Sequence, residues 1–209
     1  MDRAEKFWDN RASDFNSSSE DDAPDPIYTR KLEITKNYLV PDDVVLDYAC
    51  ATGYITLDLA GHARELHGID ISSKMIEAAK RRAETSGIEN VQFTHAKISD
   101  ERYQQESFDA ILAFNILHLV ESPSEVVQRI NALLKPGGVF ISATPSVNSK
   151  MSFAGIFFVL LSKIGIVPNL NFASVSELEG LVTDSDFQIV ESELVKGAMG
   201  HHFIVAKKS

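Results

Sequence analysis

The sequence predicts an α/β fold, a doubly wound sheet of about seven strands, mostly parallel with an antiparallel last strand, covered by helices as a three-layer sandwich. Three observations carry that expectation. Strand-like runs alternate with helical patterns from Val44 to Ala143. Phe108–Phe114 is a continuous apolar run, suited to a central strand buried on both faces. Phe187–Glu193 and His202–Lys207 then follow each other with little room for a helix, so they pair most easily as antiparallel neighbours.

The elements follow in order. Residues 1–16 carry Phe7, Trp8 and Phe15 among charges, which allows a short amphipathic helix. Ser17–Pro26 is Ser-rich, acidic and closed by two prolines, so residues 1–26 are expected to form a mobile N-terminal segment that closes over a ligand. A helix is expected over Ile27–Val40, stopped by Pro41-Asp42-Asp43. Strands follow at Val44–Tyr48, Glu65–Asp70, Val91–His95 and Phe108–Phe114. Between them, Tyr54–Ala60 reads as a helix, and Ser73 is expected to cap another whose apolar stripe is Met75, Ile76, Ala79 and Ala83, stopped at Gly87. Ser122-Pro123-Ser124-Glu125 has the pattern of a capping box, and Pro136-Gly137-Gly138 turns the chain into a fifth strand, Val139–Ala143. Ser174 with Glu177 opens the last helix. Residues 145–172 are an apolar insertion in a domain spanning 27–209.

Composition narrows the function. At 209 residues, with 44% hydrophobic and 24% charged residues, the chain reads as one globular domain. Its net charge is −10, and five of those ten charges fall in residues 1–26. Only the short run Lys80-Arg81-Arg82 concentrates positive charge, so a nucleic-acid partner is disfavoured and a small-molecule substrate favoured. A single cysteine and a charged stretch Met1–Glu20 with no signal pattern lead to the expectation of a cytoplasmic protein. Met151–Val167 is too short and interrupted for a transmembrane segment.

The chemistry concentrates at Val44–Gly53, Val-Val-Leu-Asp-Tyr-Ala-Cys-Ala-Thr-Gly. Small residues at Ala49, Ala51 and Gly53 permit close backbone approach to a ligand. Asp70 stands seventeen residues past Gly53, at the end of a second strand, and can accept both hydroxyls of a ribose. No G-x-G-x-x-G follows the first strand, which argues against a dinucleotide or nucleotide-sugar enzyme.

These residues resemble a known family, the class I S-adenosylmethionine-dependent methyltransferases, in their small-molecule branch. Leu46–Gly53 is similar to the family's first motif and Ile69-Asp70-Ile71-Ser72 to its second. Ser107–Ile111 with Asn115 and His118 is similar to the run at the fourth strand, and Leu134–Phe140 to the turn into the fifth. Phe7–Ala12 resembles the opening segment of that branch. The resemblance implies a Rossmann-like fold and S-adenosylmethionine as cofactor, with no metal. It implies that Ala49, Cys50, Ala51 and Gly53 lie against the methionine part and that Asp47 holds the loop and meets the amino group. Asp70 would bind the ribose, Ile71 and Met75 would pack on the adenine, and Asn115 would sit beside the transferred methyl. Cys50 reads as a small spacer within this loop in preference to a nucleophile.

Two departures from the family pattern imply weaker cofactor binding. Alanine stands at 49 and 51 where members usually carry glycine. Lys97 stands where many carry an acidic residue that accepts from the adenine amino group, leaving the Ile98 N–H and apolar packing to fix the ring. Candidate proton acceptors are His118, Tyr28 and His202, with His201 on the opposite face of the last strand. Trp8, Phe153 and Phe157 are candidate substrate-lid residues; the bland alternative for 151–167 is extra core or a homodimer contact. The expected activity is methyl transfer to a small, partly apolar metabolite. The alternatives are a catalytically silent S-adenosylmethionine- or S-adenosylhomocysteine-binding protein and a membrane-surface quinone or lipid methyltransferase.

Overall fold

The structure, a computed structural model, describes residues 3–13, 25–145, 173–195 and 200–209. The described strands are β1 (Val44–Tyr48), β2 (Glu65–Asp70), β3 (Val91–His95), β4 (Phe108–Phe114), β5 (Leu134–Pro145), β6 (Phe187–Val195) and β7 (His201–Lys208). The described helices are α1 (Arg3–Asp9), α2 (Pro26–Tyr38), α3 (Tyr54–Asp58), α4 (Ser73–Ser86), α5 (Pro123–Leu133) and α6 (Val175–Thr183).

The strands form one seven-stranded sheet in the order β3-β2-β1-β4-β5-β7-β6. β1 to β5 pair in parallel, while β7 runs antiparallel to both β5 and β6. The chain leaves β1 in one direction and β4 in the other, so the loops after these two strands part at the centre of the sheet. That divergence opens a crevice at the carboxyl edge, where ligands of open α/β sheets bind.

Hydrophobic alternation loads both faces. Val45, Leu112, Ile141 and Val205 belong to one core, packed with α2, α3 and α4 residues such as Ile34, Leu57 and Ile76. Leu46, Ile111, Phe140 and Ile204 belong to the other, packed with α5 and α6 residues such as Val127, Ile130 and Val182. The three layers and the antiparallel end of the sheet match the sequence expectation. Strands β1 to β4 have the predicted limits. β5 begins five residues earlier than predicted, because Leu134–Gly138 extends along β4 across a register shift.

Caps separate the sequence patterns that work from those that do not. Ser174 and Glu177 form the full reciprocal capping box of α6. Ser122 makes no side-chain cap to α5; its backbone sits at φ −127°, ψ 86° instead. The cap of α4 is Ser72, whose hydroxyl accepts from the Met75 N–H, and not the expected Ser73, which is already the first helical residue. Among the described residues no helix is long and apolar enough to cross a membrane. The insertion at 151–167, with Phe153 and Phe157, lies outside the described residues.

One ring, Phe93, packs closely against both strand β2 and the loop after β1. A Cβ added to Gly68 would stand 2.5 Å from Phe93 Cδ1, and one added to Gly53 would stand 2.6 Å from Phe93 Cζ. Gly68→Ala should therefore cost about 1–3 kcal/mol by overpacking. Phe93→Leu in the same chain should return part of that loss, a non-additive result measurable by urea denaturation of the two single variants and the double one. Strictly additive losses would show that the ring is not the obstacle.

Candidate functional site at the carboxyl edge

The first loop is built from backbone the alanines do not favour. Ala49 has φ 61° and Ala51 φ 48°, both left-handed, followed by Gly53 at φ 80°. For an L-residue with a Cβ this conformation costs about 1–2 kcal/mol, so glycine is the easier choice at both positions. Tertiary bonds hold it. The Ala51 N–H donates to Asp70 Oδ2 at 3.0 Å, the Cys50 N–H to Ile69 O at 3.0 Å and the Gly53 N–H to Cys50 O at 3.0 Å. From outside, Arg82 donates to the Thr52 carbonyl while its guanidinium stacks 3.6 Å above the Tyr54 ring.

Asp70 is buried at the end of β2. Its second oxygen accepts the Ser72 N–H at 2.8 Å. Burial raises its pKa, and the two N–H donors oppose that rise. Ser72 and Met75 are buried at the start of α4, while Ile71 is half-buried and its carbonyl lies 2.9 Å from His95 Nε2. Past β3, Ile98 is buried and the Lys97 side chain is exposed.

Asp47 lies deeper, on β1, fully shielded and bonded by Thr56 Oγ1 at 2.6 Å. Burial pushes its pKa up to about 6, against the Thr56 hydrogen bond and the charge of Lys31. Lys31 is buried too, its ammonium 5.5 Å from the centroid of the Phe114 ring. Burial lowers its pKa, and Asp25 and Asp47 counter that. Sequence reading missed Lys31. The signal was a lysine on the buried face of α2, which runs Ile27, Lys31, Ile34 and Thr35.

The N-terminal helix supplies a second residue that sequence reading passed over. Ser72 Oγ donates to Asp9 Oδ1 at 2.6 Å, and the Lys74 N–H reaches the same oxygen at 3.2 Å. An acid at the N-terminus of α4 is favoured by the unpaired N–H groups and the helix dipole. Glu5 Oε1 stands 3.4 Å from His95 Nε2. Part of the segment expected to be mobile, Arg3–Asp9, is thus helical and fastened beside the second motif. Trp8 is half-buried on it, edge-on to Phe7 at 5.2 Å.

The remaining predicted residues divide. Asn115 ends β4 with an exposed side chain and φ 56°, its N–H donating to Ala143 O at 2.8 Å. Cys50 is buried among core residues, and burial drives its thiol well above the ordinary range, which leaves no thiolate for nucleophilic attack. Tyr28 Oη donates to Asp58 at 2.6 Å; burial and that carboxylate raise the phenol's pKa, the reverse of what a base needs. His118, past β4, has its pKa lowered to about 4 by burial and by His201. His202 sits on β7, two strands from β4, and burial lowers its pKa against the pull of Glu179. The fold thus gathers the predicted cofactor residues at one edge; His118, past β4, and His202, at the start of β7, lie along that same edge, while Tyr28 stands apart on α2, bonded to Asp58. Among the described residues there is no cluster of three or more His, Cys, Asp or Glu side chains fit to hold a metal ion.

A family model described as a methyltransferase domain matches residues 39–188. A ubiquinone biosynthesis O-methyltransferase of Coxiella burnetii is 31% identical over 106 residues, covering 51% of this chain and 45% of that protein. The chain thus spans about half the length of the first curated relatives it matches. Among solved structures, the Burkholderia thailandensis 1,6-didemethyltoxoflavin-N1-methyltransferase, with bound 1,6-didemethyltoxoflavin and S-adenosylhomocysteine, superposes with a TM-score of 0.74 at 19% identity, over 99% of this chain and 88% of that one. The [4+2]-cyclase SpnF superposes with a TM-score of 0.80 at 16% identity, over 98% and 94%. These two likenesses show the fold, while the family model, matched across most of the chain, shows the family. The chain belongs to the methyltransferase-domain family.

Proposed function

We propose that the chain transfers the methyl group of S-adenosylmethionine to a small, partly apolar metabolite in the cytoplasm, by in-line displacement. The observation that carries this reading is a buried carboxylate at the head of the first loop, Asp47, within electrostatic reach of a buried lysine on α2, Lys31. The amino-acid end of the cofactor is an ammonium and a carboxylate, and this pair is its complement. Asp70 suits the other end. Each of its oxygens already takes one N–H, and a carboxylate offers about four acceptor sites, so two ribose hydroxyls still find partners.

When bound, the cofactor supplies an electrophilic methyl group on a positively charged sulfur. The chain's part is to hold and align: Ala49, Cys50, Ala51 and Gly53 along the methionine part, Ile71, Met75 and Ile98 around the adenine, Asn115 beside the reacting groups. Alignment of this kind contributes about 7–11 kcal/mol to such a reaction. The Lys97 ammonium cannot accept from the adenine amino group, so affinity should fall below the family's usual level. His118 and His202 are neutral at neutral pH and can each take a proton; Tyr28 holds its own. Trp8, on the fastened α1, belongs to the cover over the site.

The quinone or lipid alternative draws on the names of the curated relatives, ubiquinone biosynthesis O-methyltransferases. Co-sedimentation with vesicles, lost on removal of residues 151–167, would favour it. For methyl transfer itself the test is transfer of tritium from methyl-labelled S-adenosylmethionine into a small-molecule extract. Label in a product soluble in organic solvent is expected; tight cofactor binding with no transfer from any extract would favour the silent binding protein.

Binding should carry the signature of Asp47. Below about pH 6 its carboxyl is protonated, and an incoming ammonium must displace that proton. The affinity for S-adenosylhomocysteine, measured by titration calorimetry, should be level above pH 6 and fall by up to about tenfold per pH unit below it. Asp47→Asn should bind more weakly and lose that slope. A wild-type profile flat from pH 5 to pH 7 would contradict the assignment.

A further inference from the structure

The antiparallel end of the sheet carries a polar chain that the cofactor site does not use. Ser192 Oγ donates to Glu179 Oε1 at 2.6 Å and lies 2.9 Å from His202 Nε2. A serine hydroxyl has one hydrogen, and here the carboxylate takes it. The contact with the imidazole therefore needs Nε2–H as the donor, which leaves Nδ1 as a bare acceptor. Nδ1 is buried with no hydrogen-bond partner among the described residues. Its cross-strand neighbour in β5 is Thr144, whose Oγ1 is likewise buried and without a partner among the described residues. His202 is 1% exposed and Thr144 2%, so bulk water does not meet this need. Residues paired across an antiparallel ladder project from the same face, with Cβ atoms about 4.5–5.5 Å apart. Unmet polar atoms at that depth are rare in folded proteins and ask for an explanation.

Their place is the carboxyl edge of the sheet. Thr144 is one residue from the end of β5 and follows Ala143, whose carbonyl receives the Asn115 N–H. The surrounding face is apolar, with Phe140 and Ile204 in the same core.

We propose that Thr144 and His202 form a recognition subsite for a neutral hydroxyl group on the small-molecule substrate, with Ser192 and Glu179 as positioning residues that fix the imidazole tautomer. This rests on the methyl-transfer reading for the identity of the ligand as a substrate. A hydroxyl meets both needs at once, donating to His202 Nδ1 and accepting from Thr144 Oγ1. An ether or ketone has nothing to give Nδ1, and a carboxylate has no proton. An ammonium donates to both atoms but brings an uncompensated charge onto a buried, apolar face. The substrate class is therefore an alcohol or phenol with an apolar body.

The test uses phenol as the probe and anisole as its methylated control, on the full chain with and without S-adenosylhomocysteine. Nitrogen NMR of the histidine ring is expected to show His202 as the Nε2–H tautomer and to show its Nδ1 signal moving saturably with phenol, while anisole leaves it in place. Thr144→Val and His202→Phe should weaken phenol binding about tenfold, one neutral hydrogen bond's worth or slightly more. His202→Asn, which can offer its carboxamide oxygen near the Nδ1 position, should stay within about threefold of wild type. Thr144→Val should melt no lower than wild type, since it removes an unmet polar atom, so its loss of binding cannot be put down to unfolding. An Nδ1 signal unmoved at saturating phenol, or equal phenol affinity in Thr144→Val, would overturn the subsite and leave the pair holding water alone. Calorimetry on the same samples separates the two proposals. Intact S-adenosylhomocysteine binding with a silent His202 sinks the subsite only, and a responsive His202 without that binding sinks the cofactor reading only.

Discussion

The carboxylate of Asp70 is the joint on which the site depends. One oxygen fastens the loop after β1 through the Ala51 N–H, and the other fastens the turn into α4 through the Ser72 N–H. Hydrogen bonds to a charged acceptor contribute about 1.5–3 kcal/mol each, enough to hold Ala51 in a left-handed conformation its Cβ resists. The same burial that strengthens these bonds makes the charge costly, and the raised pKa expresses that balance. A ligand hydroxyl arriving at Asp70 would thus meet a carboxylate already oriented from two sides.

Around that joint the molecule keeps its charges in opposed, shielded positions. Asp47 and Lys31 feel each other's charge, Asp9 lies at the N-terminus of α4, and the two carboxylates are each tied by a hydroxyl, Thr56 in one case and Ser72 in the other. Such arrangements are poor sources of stability, since desolvation offsets much of the attraction. Their use is to fix where charge stands. The two alanines extend the same trade, because backbone strain at the loop is retained where the surrounding bonds over-determine it.

Much of this was legible in the sequence because periodicity and small residues report directly on backbone placement. The limits of β1 to β4, the buried stripe Met75-Ile76-Ala79-Ala83 and the box at Ser174 follow from local pattern alone. The early start of β5 was not legible, since Leu134–Gly138 extends only because β4 lies beside it. The Ser122 pattern failed for a related reason: a capping box is a geometry, and the backbone there does not adopt it. Lys31 and Asp9 act through partners 16 and 63 residues away along the chain, a distance no local pattern spans. The polar chain from Glu179 through Ser192 to His202 depends in the same way on the register of β6 with β7.

Asp70 and the left-handed loop beside it are proposed to make a ribose-and-methionine site. A crystal structure of the chain grown with S-adenosylhomocysteine tests it most directly. Both ribose hydroxyls are expected within hydrogen-bond distance of the Asp70 carboxylate, about 2.5–3.0 Å, with the Ala51 and Ser72 N–H bonds retained and the amino-acid end between Asp47 and Lys31. A nucleoside bound away from Asp70, or a loop that abandons its left-handed alanines to admit the ligand, would contradict it.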